Sequence, residues 1–279
     1  MVLVLLAVWG LFFSPVAPRL WAHVGQMPGI VWLRQQVEAG ERAPEEGANS
    51  EAIDEILQAG HMLQQEEQYQ QALERFRQAL ELDETYAPTH VALANLYLQM
   101  GQQDKAVLEL ERAAELAPDD TFILSRLGEL YMQQKELDKA VLVWKRVTEL
   151  NPEDVMAHYW LGVAYHIRSY VDAEEAVQKL ERAAELDAGQ AQIYRNLAMA
   201  YVRRNDDYDE HRAIQAWLKV LELDPSQTDA YYYLGQLYMR TDQPQLAKES
   251  WEKYLAKGDD PEIKARVREL LQALDASTQ

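Results

Sequence analysis

An internal period constrains this chain more than any other feature. Small residues recur at Gly60, Ala94, Gly128, Gly162, Ala198 and Gly235, spaced 34, 34, 34, 36 and 37. A second small series runs Ala72, Ala106, Ala140, Ala176, Ala213 and Ala247, spaced 34, 34, 36, 37 and 34. Large residues keep the same register: Leu63, Tyr97, Tyr131, Tyr165, Tyr201 and Tyr238, then Phe76, Leu110, Trp144, Leu180, Trp217 and Trp251. A period of this length means that each unit cannot bury its apolar face alone and stacks on copies of itself. Each unit reads as an antiparallel helix pair in which the small residue of one helix meets the Ala of the other, with the aromatics beside that contact.

Pro118, Pro152 and Pro225 fall at the joins between units. A helix must stop there, because proline lacks the N–H and disfavours helix in the residue before it. The repeats therefore run 53–86, 87–120, 121–154, 155–190, 191–227 and 228–261, with extra residues in the fourth and fifth placed between the two helices of the hairpin. Asp260-Pro261 forms a cap and first-turn pair for a final helix, 262–274. Its stripe of Ile263, Val267, Leu270, Leu271 and Leu274 faces the array and its charges face water, leaving 275–279 as a tail.

Small, aromatic, Ala, aromatic and Pro at a period of 34 resemble the tetratricopeptide-repeat family over residues 53–261. The resemblance implies an all-α fold, a right-handed α-solenoid of six helix hairpins plus a C-terminal capping helix. It also implies a concave groove, lined by the first helix of each hairpin, that holds a partner's peptide or helix. The first repeat departs from the pattern at Leu63 and Glu84, as terminal repeats do. The family's clamp for chaperone C-termini needs Lys and Asn, then Asn, then Lys and Arg, and no three successive repeats supply that set.

The formal charge of -19 argues against nucleic acid as a partner, since phosphates demand clustered Lys and Arg. Residues 1–50 hold three Arg against four Glu, so the acidity belongs to the repeats. The absence of Cys removes disulfides, thiolate metal sites and thiol nucleophiles. Before the repeats, Met1 to Phe13 is an unbroken apolar run that extends through Val16 and Ala17. It reads as a hydrophobic segment over 1–22, a retained membrane anchor, a signal cleaved near Leu20-Trp21-Ala22 or a hydrophobic helix buried in a partner, followed by a polar linker over 23–50. Arg19 and Arg34 after the span favour the repeats on the cytoplasmic side, with an exported, periplasmic location as the alternative.

No phosphate loop, nucleophile elbow or His-Glu-x-x-His is present, so no catalytic residue, metal site or cofactor is expected. His90 and His158 occupy equivalent packing positions, and the acidic stretch 205–211 lacks the spacing of a calcium loop. The groove positions of the first helices are Leu57, His61, Val91, Asn95, Ser125, Arg126, Glu129, Tyr159, Trp160, Val163, Arg195, Asn196, Met199, Tyr232, Tyr233 and Gln236, with Arg203 and Arg240 alongside. The later repeats combine Tyr, Trp, Met and Arg, the residue types enriched where interfaces bury. The alternative is that these aromatics pack between hairpins and the arginines form local ion pairs.

The expected function is a non-enzymatic protein-interaction scaffold, tethered to a membrane, in assembly of a membrane or envelope complex. Its layout is similar to that of bacterial lipopolysaccharide-assembly scaffolds, without their Cys-x-x-Cys pair. An exported adaptor and the recognition subunit of a separate enzyme are the alternatives. The expected partner is a peptide or helix with apolar anchors and an Asp or Glu near Arg195.

Overall fold

Proline and aspartate set several of the helix ends. The structure, a computed structural model, describes residues 50–277, and among these are thirteen helices. The first, α1, spans 50–65. It is followed by α2 (Tyr69–Leu82), α3 (Ala87–Gln99), α4 (Gln103–Leu116), α5 (Thr121–Gln133), α6 (Leu137–Leu150) and α7 (Val155–Arg168). Then come α8 (Ala173–Leu186), α9 (Ala191–Arg204), α10 (Asp209–Leu223), α11 (Asp229–Arg240), α12 (Pro244–Lys257) and α13 (Pro261–Ser277). They make six hairpins and a capping helix. The hydrophobic segment 1–22 and the linker up to residue 49 lie outside the described residues. Among the described residues no helix is long and apolar enough to cross a membrane.

Aspartates start several first helices by accepting from otherwise unpaired N–H groups. Asp120 accepts from Phe122 and Ile123 at 2.9 and 3.2 Å, Asp154 from Ala157 at 2.9 Å, and Asp260 from Glu262 and Ile263 at 2.8 and 3.1 Å. Pro261 then occupies the first helical position, as the sequence suggests.

The chain divides into two compact units between Leu96 and Tyr97. In the first, Phe76 of α2 lies directly over Gly60 of α1, the Tyr86 hydroxyl donates to Asp54 at 2.9 Å, and Leu57, assigned to the groove from sequence, is buried. In the second, each helix from α4 to α13 packs on the next in the chain, and the first helices α7 and α9 also touch.

The close approach within a hairpin adds a large side chain to the small-on-small contact expected, which is present at Gly162, where a Cβ would lie 3.2 Å from the Ala176 carbonyl oxygen. A Cβ on Gly128 would lie 2.7 Å from the Trp144 ring, and one on Gly162 would lie 2.7 Å from Leu180 Cγ. Gly235 is closed by Trp251 in the same way. The small residue exists because the large side chain of the second helix, four residues beyond its alanine, rests on the first helix's backbone.

The turns inside the 34-residue hairpins each hold one left-handed residue: Glu67 (φ 60), Gly101 (φ 72), Lys135 (φ 61) and Asp242 (φ 57). The lengthened repeats break this rule. Relative to the small residue, α7 and α9 each run one residue further, the turns 169–172 and 205–208 gain one more, and α10 starts one residue early. The extra chain thus lengthens helices as well as the turns.

Enlarging Gly162 to Leu should cost about 1–3 kcal/mol by overpacking. Leu142→Ala, at a side chain 69% exposed, should leave the thermal melt unchanged. Circular dichroism melts check both.

Candidate partner-binding surface

The residues assigned to the groove divide into three groups. Tyr159 and Val163 of α7 are buried. Trp160, Arg195, Asn196, Arg203, Tyr232 and Tyr233 are half-buried, as are Arg126 and Glu129, while Met199, Gln236 and Arg240 are exposed. Asn95, also half-buried, lies on the part of α3 that belongs to the first unit.

Several polar residues assigned to the groove also bond other parts of the chain. The Asn196 amide of α9 donates to the Tyr159 hydroxyl of α7 at 3.0 Å and to the Gln192 carbonyl at 3.0 Å. Arg203 donates to the His166 carbonyl and stacks on the Tyr170 ring, 4.0 Å from its centroid. Arg195 pairs with Asp229 of α11 at 2.6 Å. Arg126 pairs with Glu129 on its own helix at 3.3 Å. Residues one repeat apart are neighbours in a stack of repeats, so complementary side chains 34 or 37 positions apart are the sequence signal for the Arg195–Asp229 and Asn196–Tyr159 bonds.

The aromatics follow an alternation. Leu110 and Leu180 are each followed by a glutamate, and these accept from the tyrosine of the next first helix: Tyr131 to Glu111 at 2.6 Å and Tyr201 to Glu181 at 2.7 Å. Burial and that bond to a carboxylate both push the Tyr131 and Tyr201 phenols well up. Trp144 and Trp217 are instead covered by rings from the next hairpin, Trp160 at 6.5 Å and Tyr233 at 4.8 Å, both stacked. Tyr159 and Tyr232 meet these covering rings edge-on at 5.0 and 5.4 Å, and Gln236 donates to the Tyr232 hydroxyl at 2.7 Å. Trp160, Tyr232 and Tyr233 are thus held in place and keep part of their surface in water.

Both lengthened turns are closed by a two-point arginine–aspartate pair. Arg168 ends α7 and donates to Asp172 at 2.7 and 2.8 Å; Arg204 ends α9 and donates to Asp209 at 2.9 and 2.7 Å. Asp209 is fully buried. Burial raises its carboxyl, but the Arg204 bonds and the Asp206 N–H outweigh this and hold it below the ordinary carboxylate range. With Asp209 committed to Arg204, the acidic turn is an ion-paired corner, and among the described residues no cluster of three or more His, Asp or Glu could hold a metal. Asn205 and Tyr208 adopt left-handed backbone to make the corner (φ 53 and 69), and Arg240 bonds Asn205 and Glu210 at 2.9 and 3.1 Å.

His90 and His158 do the same job in two repeats. Each places Nε2 against a carbonyl six residues earlier, Glu84 at 3.0 Å and Pro152 at 3.1 Å, at the loop that joins hairpins. Beyond the last hairpin, Met239 and Arg240 of α11 face Leu270, Ala273 and Leu274 of α13 across a cleft of about 420 Å³ that Trp251 and Gln236 also line.

Hairpins stacked side by side, with ordered aromatics along their first helices, define an α-helical repeat protein that offers an extended surface to another chain. Profiles of the TPR repeat match residues 128–166 and 208–242, and tetratricopeptide-repeat profiles match 63–121 and 229–257. The chain belongs to the tetratricopeptide-repeat family. Its fold is similar to that of YrrB, described as a TPR protein with an unusual peptide-binding site (21% identity, 70% of this chain and 97% of that one, TM-score 0.60). It is similar also to PilF of Pseudomonas aeruginosa (18%, 80% and 99%, TM-score 0.60) and to MamA of Desulfovibrio magneticus RS-1 (24%, 61% and 93%, TM-score 0.56). No curated protein sequence matches the chain.

Removing Asp209 leaves the Arg204 guanidinium, whose side chain is 13% exposed, with only its 2.9 Å bond to Glu174, so Asp209→Ala should cost about 2 kcal/mol. Asp119→Ala breaks only the exposed pair with Arg146 and should leave denaturant unfolding unchanged. Burial pushes the His158 and His166 imidazoles below their ordinary value. The unfolded imidazole takes up a proton near pH 6.5, whereas the buried one resists it. This contribution to stability is therefore full above that pH and is lost as the pH falls below it. His158→Gln should lessen the stability difference between pH 7.5 and 5.5, read by urea unfolding.

Proposed function

We propose that the chain is a non-enzymatic scaffold that gathers partner proteins on the first helices of its later hairpins, tethered to a membrane by residues 1–22, in assembly of a membrane or envelope complex. The observation that carries the reading is the row of pre-set aromatics. Trp160 and Tyr233 occupy equivalent places two residues before Gly162 and Gly235, each held from behind by an indole, with Met199 exposed on the helix between them. Rings fixed in advance lose little entropy on binding, which favours them as anchors. The partner is a segment with apolar anchors and an acidic residue that competes with Asp229 for Arg195. A repeat surface of this kind supplies no dry pocket in which an acid, base or nucleophile would be activated.

Pull-down with the full chain identifies the partner, and titration of its segment then tests the site. Trp160→Ala or Tyr232→Ala should weaken binding by about 2 kcal/mol. Arg195→Ala should act mainly on the association rate and its salt dependence. Unchanged affinity in both aromatic variants, with loss on altering Leu57 or Val91, would place binding in the first repeats. For the tether, full-length protein should sediment with membranes and resist carbonate, while the chain from Ser50 onward should stay in solution. A full-length product that is soluble and shortened by about 22 residues would mean a cleaved signal instead.

A further inference from the structure

In the second unit each first helix turns one side to the hairpin before it. His158 marks this side by meeting the Pro152 carbonyl of the preceding loop, and Tyr131 and Tyr201 mark it by donating to Glu111 and Glu181 of the preceding second helix. These places lie four residues before and three after the small residue, and the places one before and two after share their side. They are filled and covered: Leu127 and Leu130 of α5, and Leu161 and Ala164 of α7, are at most 4% exposed. On α1 the same places hold Ile56, Ala59, Met62 and Leu63, and among the described residues no helix precedes them. Met62 is 58% exposed, and the other three are half-buried. Glu55 also stands exposed on this side, where α5, α7, α9 and α11 have the buried Ile123, Ala157, Ile193 and Ala230.

The chain itself carries a matching segment upstream. Ile30, Leu33 and Val37 recur at helical spacing, Arg34 falls beside them one turn after Ile30, and Pro28-Gly29 and Gly40 bound the stretch. From Ile30 to Val37 is the same number of residues as from Ile56 to Leu63, about 10 Å along a helix. The chain between them, residues 39–49, reaches about 35 Å when extended, more than an antiparallel return needs. An apolar face with one carboxylate thus has, in the same chain, an apolar stripe with one guanidinium. Attachment through a short linker gives that stripe an effective concentration on the order of millimolar, an advantage over any separate partner.

We infer that residues 29–39 of this chain form a helix that covers the open side of α1, with Ile30, Leu33 and Val37 against Ile56 and Met62 and with Arg34 on Glu55. It takes the place that a preceding second helix holds in the later repeats. The stretch left between the hydrophobic segment and the folded chain is then 23–28, about 20 Å at full extension. Combined with the proposed tether, this keeps the first hairpin close to the bilayer. The docking itself does not rest on the tether, since residues 29–39 stay with the chain whether or not 1–22 are removed.

The test uses the full-length chain purified in mild detergent, and the absence of natural Cys makes introduced thiols unambiguous. Leu33→Cys with Met62→Cys should close a disulfide within one chain on oxidation with diamide, read by mass spectrometry. Leu33→Cys with His61→Cys, which helical spacing turns away from that side, should close at least tenfold more slowly. Arg34→Glu should slow closure to Met62→Cys at least threefold, and adding Glu55→Arg should restore it. Met62→Cys alone should react at least fivefold faster with a water-soluble maleimide when Leu33→Asp is added, which keeps the test decisive if the paired cysteines disturb packing. Equal closure at positions 61 and 62, or maleimide reactivity that Leu33→Asp leaves unchanged, overturns the inference. A disulfide that joins two chains overturns it in favour of a second copy on α1. Sedimentation with membranes reads the tether separately, so either proposal can fail without the other.

Discussion

The contact on which much of the second unit depends is the large side chain of a second helix resting on its first helix at a glycine. At Gly128, Gly162 and Gly235 there is no room for a Cβ beneath Trp144, Leu180 and Trp251. That approach sets the distance between the two helices, and a ring or leucine wedged there cannot also turn outward. The next hairpin must then cover the exposed side of that residue. Interiors pack to crystal-like density, so the identity of the wedge dictates the identity of its cover.

Two solutions alternate along the second unit. Behind a leucine, the neighbouring glutamate receives a tyrosine hydroxyl, as at Glu111 and Glu181. Behind a tryptophan, the next hairpin supplies a ring, as at Trp160 and Tyr233. The second solution places large, oriented aromatics along the first helices and leaves part of each in water. Packing between repeats and presentation to a partner are then served by the same side chains. Stability and binding should be coupled there, because a truncated ring loses its stack as well as its outward surface.

The hairpins, their joins and the capping helix were legible because small and large residues at a fixed period admit few alternatives. Asp260-Pro261 shows why caps are legible too: the bonds they make span two or three residues. The surface was harder to read. Arg195 and Asn196 have the residue types of an interface, but each also has a complementary side chain one repeat away, at Asp229 and Tyr159. Scanning for such pairs at the repeat distance separates bonds between hairpins from side chains free to meet another protein. The Arg204 pair depends on a turn whose backbone, left-handed at Asn205 and Tyr208, follows from no residue preference of a bulky tyrosine.

The account holds that the first-helix surface, and not the outer face of the second helices, meets the partner. Met199 on α9 and Leu142 on α6 are both exposed, at 37% and 69%, and neither is wedged between hairpins. Replacing each in turn with a photo-crosslinking phenylalanine analogue in the full-length chain, in the cells that produce it, compares the two surfaces directly. A specific protein adduct at position 199 with none at 142 is the predicted result, and an adduct at 142 with none at 199 would contradict it.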